Sequence, residues 1–294
     1  MTDDSNKISR REFTALSLAA GVTAASGASA AAAADMMDTD VEIKTPNGTC
    51  EAALIHPKGK GPWPGVILFV DVFGLRPTMR DMAKRLAANG YTVLVPNPYY
   101  RTTKAPGLPM NLDFKNPDDL AKIGKVRALL TDAAVMSDAT AYVAFLDAQA
   151  MVDKKAKMGV FGYCMGGPMT MQAAAANPTR VGAGASFHGG GLVTDKPDSP
   201  HLKVAQMKAQ FYFAIAANDD QRQPDAKTKL AEAFKAANLP DKQEVYAGCM
   251  HGWCVKDMPN GDDGKPLYNE AGAEKAWGEL VALYKRAAVG DRGA

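Results

Sequence analysis

The strongest constraint on the fold is Gly162-Tyr163-Cys164-Met165-Gly166-Gly167, which joins the apolar run 158–161 to a run of small residues ending at Asn177. It reads as strand, sharp turn and helix, with a cysteine at the apex. A turn this tight strains the apex backbone and leaves no room for side chains two residues to either side, so the flanking glycines have a steric reason. The pattern is that of a nucleophile elbow, with Cys where Ser is commoner. A thiol at a helix N-terminus faces unpaired N–H groups and the positive end of the helix dipole, both of which favour thiolate. Taken alone, the same turn also fits a buried, inert cysteine.

A nucleophilic Cys164 needs a base, and an elbow of this kind presents its partners in the chain order nucleophile, acid, histidine. Of four histidines, His56 precedes the elbow, His188 ends a strand-like run and His201 sits in a proline-flanked loop. His251 remains, in a glycine-bounded loop just past the strand-like run 243–246, where late catalytic residues gather at the carboxyl ends of strands. The acid should lie between, at another strand end. The run 211–217 is followed at once by Asn218-Asp219-Asp220, and either aspartate could orient the imidazole. Asp225, after Pro224, fits the first turn of a helix instead.

Strand-like runs at 65–70, 91–95, 157–161, 182–187, 211–216 and 243–246 alternate with helical stretches at 77–89, 133–149, 166–177, 225–237 and 271–288. This alternation predicts an α/β chain with a mostly parallel sheet and helices on both faces. Residues 41–44 and 50–56, around Pro46-Asn47-Gly48, predict an opening antiparallel hairpin. The segment 102–125, rich in Pro, Asn and Asp, is expected to be a loop that shapes a substrate entrance.

With Cys164, Asp219 and His251 in order, the chain resembles the dienelactone hydrolase family of Cys-dependent α/β-hydrolases from about Val41 to Tyr284. The resemblance also rests on Phe73-Gly74, Pro96-Asn97-Pro98-Tyr99-Tyr100-Arg101 and Ser186-Phe187-His188-Gly189-Gly190-Gly191. It implies an α/β-hydrolase fold, and it selects Asp219 over Asp220 as the triad acid. Two departures from the family stand out. Where the family has a glutamate that helps produce the thiolate, this chain has Asp71, one methylene shorter. Of the two arginines with which the family's dienelactone enzymes clamp a substrate carboxylate, Arg101 matches the first, but Val255 occupies the second position; Lys256, Arg76 and Arg80 are the candidate substitutes.

The expected reaction is attack of Cys164 thiolate on an ester or lactone carbonyl. His251 shuttles the proton, and the backbone N–H groups of Met165 and Val72 meet the oxyanion. Thiolate leaves a tetrahedral intermediate more readily than an alkoxide, so activated esters and enol-lactones are the expected substrates. His188, Tyr163 and Trp253 are expected to line the pocket. No cofactor is called for: the histidines are too scattered for a zinc site and Gly189-Gly190-Gly191 lacks the Lys-Ser/Thr of a phosphate loop. The rival readings are a non-catalytic exported binding protein on the same scaffold, a thiol redox protein, and a broad carboxylesterase or lactonase.

The N-terminus, Ser9-Arg10-Arg11-Glu12-Phe13 followed by a mildly apolar run rich in Ala, Gly, Ser and Thr, reads as a twin-arginine signal over residues 1–34. Its serines, threonine and glycines make the run too polar for a stable membrane span. The mature part, 35–294, is roughly 260 residues, the size of one domain. The expected partners are the twin-arginine export machinery and a small ester or lactone, and the expected location is periplasmic or exported. A formal net charge of +2 with no basic cluster argues against nucleic acid. In an oxidising compartment Cys249 and Cys254, which straddle His251, would either bridge or stay reduced and part-buried.

Overall fold

The computed structural model describes residues 35–287 and 289; the expected signal segment lies outside the described residues. Eight strands, β1 (Met36–Thr45), β2 (Gly48–Pro57), β3 (Gly65–Phe69), β4 (Thr92–Pro96), β5 (Met158–Tyr163), β6 (Val181–Phe187), β7 (Gln210–Ala216) and β8 (Asp241–Tyr246), form one sheet. Their order is β1-β2-β4-β3-β5-β6-β7-β8. The hairpin pairs antiparallel, β2 joins β4 antiparallel, and every later pairing is parallel. This is the mostly parallel arrangement of an α/β-hydrolase, a sheet between two layers of helices.

Among the described residues seven α-helices cover the sheet: α1 (Pro77–Ala87), α2 (Pro117–Arg127), α3 (Asp132–Ala148), α4 (Gly166–Ala176), α5 (Ala217–Arg222), α6 (Ala226–Ala236) and α7 (Glu270–Arg286). Both faces of the sheet are covered, so the central strands are continuous apolar runs rather than alternating ones. Ile67 and Phe69 of β3 join a core with Tyr142 of α3, Met171 of α4 and Phe234 of α6. Val66 and Leu68 face the other way, into a core with Leu86 of α1 and Leu283 and Tyr284 of α7. Each fully buried side chain of this size contributes about 1.5–3 kcal/mol, and the two cores together hold the strand ends in register.

Besides the short helix α5 and a 3₁₀ turn at Pro200–Gln206, which carry no expected helical pattern, two stretches differ from expectation. The hairpin is longer than its apolar pattern, running from Met36↔Pro57 to Thr45↔Gly48, because edge pairing needs backbone partners and not apolar side chains. Within the expected loop, α2 forms: Asn116 caps Asp118 N–H, Pro117 opens the helix, and Asp118, Asp119, Lys125 and Arg127 complement the dipole. Ile123 is its one buried residue, so the helix has end signals but no apolar stripe. Among the described residues no single helix is long and apolar enough to cross a membrane.

At the elbow the glycines are needed for contact distance. A Cβ on Gly166 would stand 2.3 Å from Phe69 O, and one on Gly162 would stand 2.4 Å from Gly166 O. Both obstacles are backbone of the central sheet and its helix, so they cannot swing away. Gly166→Ala is expected to cost about 3 kcal/mol or more by overpacking, read as a lowered urea midpoint at unchanged slope.

Candidate active site

Loops leave the carboxyl ends of the parallel strands β3 to β8, and the side chains that carry chemistry sit on them. Cys164 follows β5 directly and adopts a left-handed backbone, φ 53°. Its N–H donates to Phe187 O (3.1 Å) and its carbonyl accepts from Gly167 N–H (3.0 Å), which pins the apex between β6 and α4. The residue is half-buried. His251 follows β8, and its Nδ1 meets Asp219 Oδ2 at 2.6 Å. With that nitrogen engaged, the other is left free to serve Cys164, whose nearby sulfur helps raise the pKa of the imidazole. Asp219 stands in the first turn of α5, and Asp220 beside it points away to Lys227 (2.6 Å). The helix begins directly after the last residue of β7, so consecutive side chains diverge and only one of the two aspartates faces the imidazole.

Sequence reasoning missed several residues that hold this array. Asn218 Oδ1 accepts His251 N–H at 2.8 Å, tying the histidine loop to the aspartate helix. Arg222 donates to the second oxygen of Asp219 (2.7 Å). Neither has a signature in sequence: each is polar at a strand exit, as most such residues are. Burial opposes the charged form of His251, but the hydrogen bond to Asp219 and the neighbouring Cys164 outweigh it and raise its pKa to about 10. A folded-state pKa above the unfolded value stabilises the fold fully below the unfolded pKa and loses that contribution as pH rises through the folded one. Melting temperature is therefore expected to fall between about pH 6.5 and pH 10, and to fall less in His251→Gln, measured by calorimetry across that window.

One residue bridges Val72 and Met165, whose amides are the expected oxyanion donors. Tyr99, buried after β4, donates its hydroxyl to Val72 O (2.8 Å) and touches Met165 Sδ (3.2 Å). In the turn after β3, Gly74 N–H donates to Asp71 O (3.1 Å) and Phe73 N–H to Asp71 Oδ1 (3.0 Å). Met165 caps α4, so its N–H has no intrahelical acceptor. Gly74 lies so close to the 102–125 segment that a Cβ there would stand 1.8 Å from Pro106 O. Phe114 of that segment is half-exposed and sets its ring edge on Phe73, 6.0 Å between centroids.

The remaining expected site residues are engaged elsewhere. Asp71 is wholly buried and gripped bidentately by Arg76 (2.7 and 2.9 Å), which also holds Asp257 (2.8 Å). Burial pushes the Asp71 carboxyl above the usual range against the pull of Arg76. Arg101 grips Asp138 bidentately (both 2.8 Å) and lies over the Tyr100 ring, while Tyr100 hydroxyl also reaches Asp138 (2.9 Å). Arg80 pairs with Asp38 and Asp40 of the hairpin, and Lys256 stands over Tyr268. Tyr163 and Trp253, expected on a pocket wall, are core: Tyr163 stacks on Phe187 (5.0 Å) and Trp253 on Tyr246 (5.0 Å). Strand alternation sends Tyr163 to the face opposite the elbow helix. His188 is also fully buried. Cys249 and Cys254 are free thiols, both buried.

Residues 50–288 match the family described as "Dienelactone hydrolase family". The chain belongs to the dienelactone hydrolase family. A relative from Methylorubrum extorquens, named "Putative carboxymethylenebutenolidase", is 30% identical over 96% of this chain and 94% of its own. A Bradyrhizobium protein, named "Probable 2-oxo-3-(5-oxofuran-2-ylidene)propanoate lactonase", is 26% identical over 84% of this chain and 92% of its own. Among solved structures, "Putative Dienelactone Hydrolase from Klebsiella pneumoniae" shares the fold at a TM-score of 0.71, with 24% identity, 85% of this chain and 99% of that one covered. Membership makes this dienelactone hydrolase-like protein an enzyme that hydrolyses carboxylic ester bonds.

Proposed function

We propose that the protein hydrolyses an activated ester or enol-lactone through a Cys164 thiolate and a thioester acyl-enzyme. The observation that carries this reading is the hydrogen bond from Asp219 to His251, with Cys164 near enough to the imidazole to help raise its pKa, at the carboxyl ends of three strands. The thiolate adds to the carbonyl carbon while the amides of Val72 and Met165 receive the oxyanion. As the carbon–oxygen bond breaks, protonated His251 gives its proton to the leaving oxygen. Water then adds to the thioester, neutral His251 takes a proton from it, and collapse expels the thiolate with the acid product.

Two features narrow the substrate. Thiolate departs from the tetrahedral intermediate more easily than a simple alkoxide, so forward reaction needs an enolate or phenolate leaving group. Arg101 and Arg76 are each held by internal carboxylates, which favours a broad ester or lactone range over one selected by a bidentate carboxylate clamp. The lactonase name of the Bradyrhizobium relative supports the enol-lactone class. Ser9-Arg10-Arg11-Glu12-Phe13 supports export through the twin-arginine route and a periplasmic product. The protein is then to be assayed without its first 34 residues.

The test is a hydrolysis series at fixed acyl group with aryl, enol and alkyl leaving groups. The expected result is a steep dependence on leaving-group acidity, with aryl and enol substrates turned over at least about 100-fold faster than alkyl ones. Equal rates across the series would remove the thiolate mechanism from consideration. Antibody detection in the periplasmic fraction, lost in Arg10→Lys/Arg11→Lys, checks the export reading.

A further inference from the structure

Three non-glycine residues among those described have left-handed backbone, Cys164 (φ 53°), His188 (φ 40°) and Asn238 (φ 55°), and the first two flank the site at adjacent strand ends. A glycine at position 188 would adopt this conformation without strain, and three glycines follow it immediately. The chain instead keeps a histidine there. Its N–H donates to Ala214 O at 2.8 Å, fixing the backbone to β7. Its ring, fully buried, meets the His251 ring edge-on at 4.7 Å, with Trp253 at 5.4 Å and Tyr163 at 5.9 Å. Neither ring nitrogen has a hydrogen-bond partner among the described residues. Two unpaired nitrogens buried in this aromatic niche carry a cost that a purely apolar ring would not.

We propose that His188 is a positioning residue for His251: a neutral imidazole packed against the working one, whose ring dipole sets the orientation of His251 and supports its protonated form beside the Cys164 thiolate. The inference rests on the thiol–imidazole reading above. It assigns to His188 a role other than pocket lining. Burial, and then the charge of His251, hold His188 well below the usual histidine range, so it stays neutral when its neighbour carries the proton. The other titratable ring facing it, Tyr163, is pushed well above the usual tyrosine range by burial and is neutral too. Across a cavity of about 180 Å³ that His188 helps to line stand Arg222 with Asp219 and Lys227 with Asp220, two ion pairs of balanced charge. The Asp219 carboxylate is thus shared between Arg222 and His251, and among the described residues no charged side chain beyond these two pairs lines this cavity.

The experiment compares His188→Phe, which keeps a ring and removes the nitrogens, with His188→Asn, whose side chain tolerates left-handed backbone. Steady-state kinetics on an aryl ester, iodoacetamide alkylation of Cys164 against pH, and melting temperature are read for each. The expected result is a loss of about tenfold in kcat with KM within about twofold, and an upward move of the alkylation midpoint, in whichever variant is folded. Wild-type kcat and an unmoved alkylation profile in a folded His188→Phe would reduce His188 to packing and overturn the proposal. In the wild-type protein, ring ¹⁵N resonances of His188 should shift as His251 titrates while His188 remains neutral; an unresponsive or protonated His188 would equally overturn it. Failure of the parent reading looks different, because Cys164→Ala would then keep its activity.

Discussion

Cys164→Ala is expected to lower kcat on an aryl ester by on the order of 10⁴-fold while leaving the fold intact. The scale is that of removing one member of a nucleophile–base–acid unit, after which the oxyanion site and binding still give residual catalysis. Alanine keeps the Cβ, and the apex is pinned by backbone hydrogen bonds to Phe187 and Gly167 rather than by the thiol, so melting should change little. Two further readouts tie the loss to mechanism. Quenched wild-type enzyme should carry the acyl mass on the 164 peptide, and the variant should not. His251 loses one of the two partners that raise its pKa to about 10, so its titration should move downward. Retained activity or an acyl group on another residue would place the nucleophile elsewhere.

Arg76→Met should produce the largest loss of stability. Arg76 is the cation that satisfies both oxygens of Asp71, a carboxylate with no exposed surface, and it bridges to Asp257. Removing one partner of a buried pair leaves an uncompensated charge, at a cost of about 3–5 kcal/mol, or roughly 10 °C for a domain of this size. The loss should shrink in Asp71→Asn/Arg76→Met, where the orphaned charge is gone. It should also shrink as pH falls, because burial already pushes the Asp71 carboxyl above its usual range. A group whose folded pKa is raised as an acid stabilises the protonated fold and loses that contribution as pH rises. Calorimetry of wild type and both variants at pH 5 and pH 8 checks sign and size. A deficit independent of pH and not recovered by Asp71→Asn would assign the effect to lost packing of the arginine stem.

The elbow was legible because its constraint is local. Gly162 and Gly166 are demanded by contacts of their own turn and the adjoining strand, and any sequence making that turn must show them. The parallel strands were legible for the same kind of reason, since burial on both faces forces continuous apolar runs such as 66–69. Helix α2 was not, because its end signals are short polar words that also occur in loops and its single buried residue draws no stripe. The engagement of Arg101 was hidden too. Its partner Asp138 lies 37 residues away on α3, and an ion pair between distant surface-type residues leaves no periodic trace.

From sequence alone came the class of sheet, the nucleophile turn, the order of thiol, acid and imidazole, and the resemblance that named a family. Each depends on short-range backbone geometry or on chain order, both of which are written directly in residue type and position. The tertiary structure decided that Asp71 and Arg101 are bound to Arg76 and Asp138, that Asp220 turns away to Lys227, and that His188 lies against the working imidazole. Those outcomes turn on side-chain direction at strand exits and on which distant charge arrives to satisfy a buried one. Such choices exist only once the sheet has brought its carboxyl ends together.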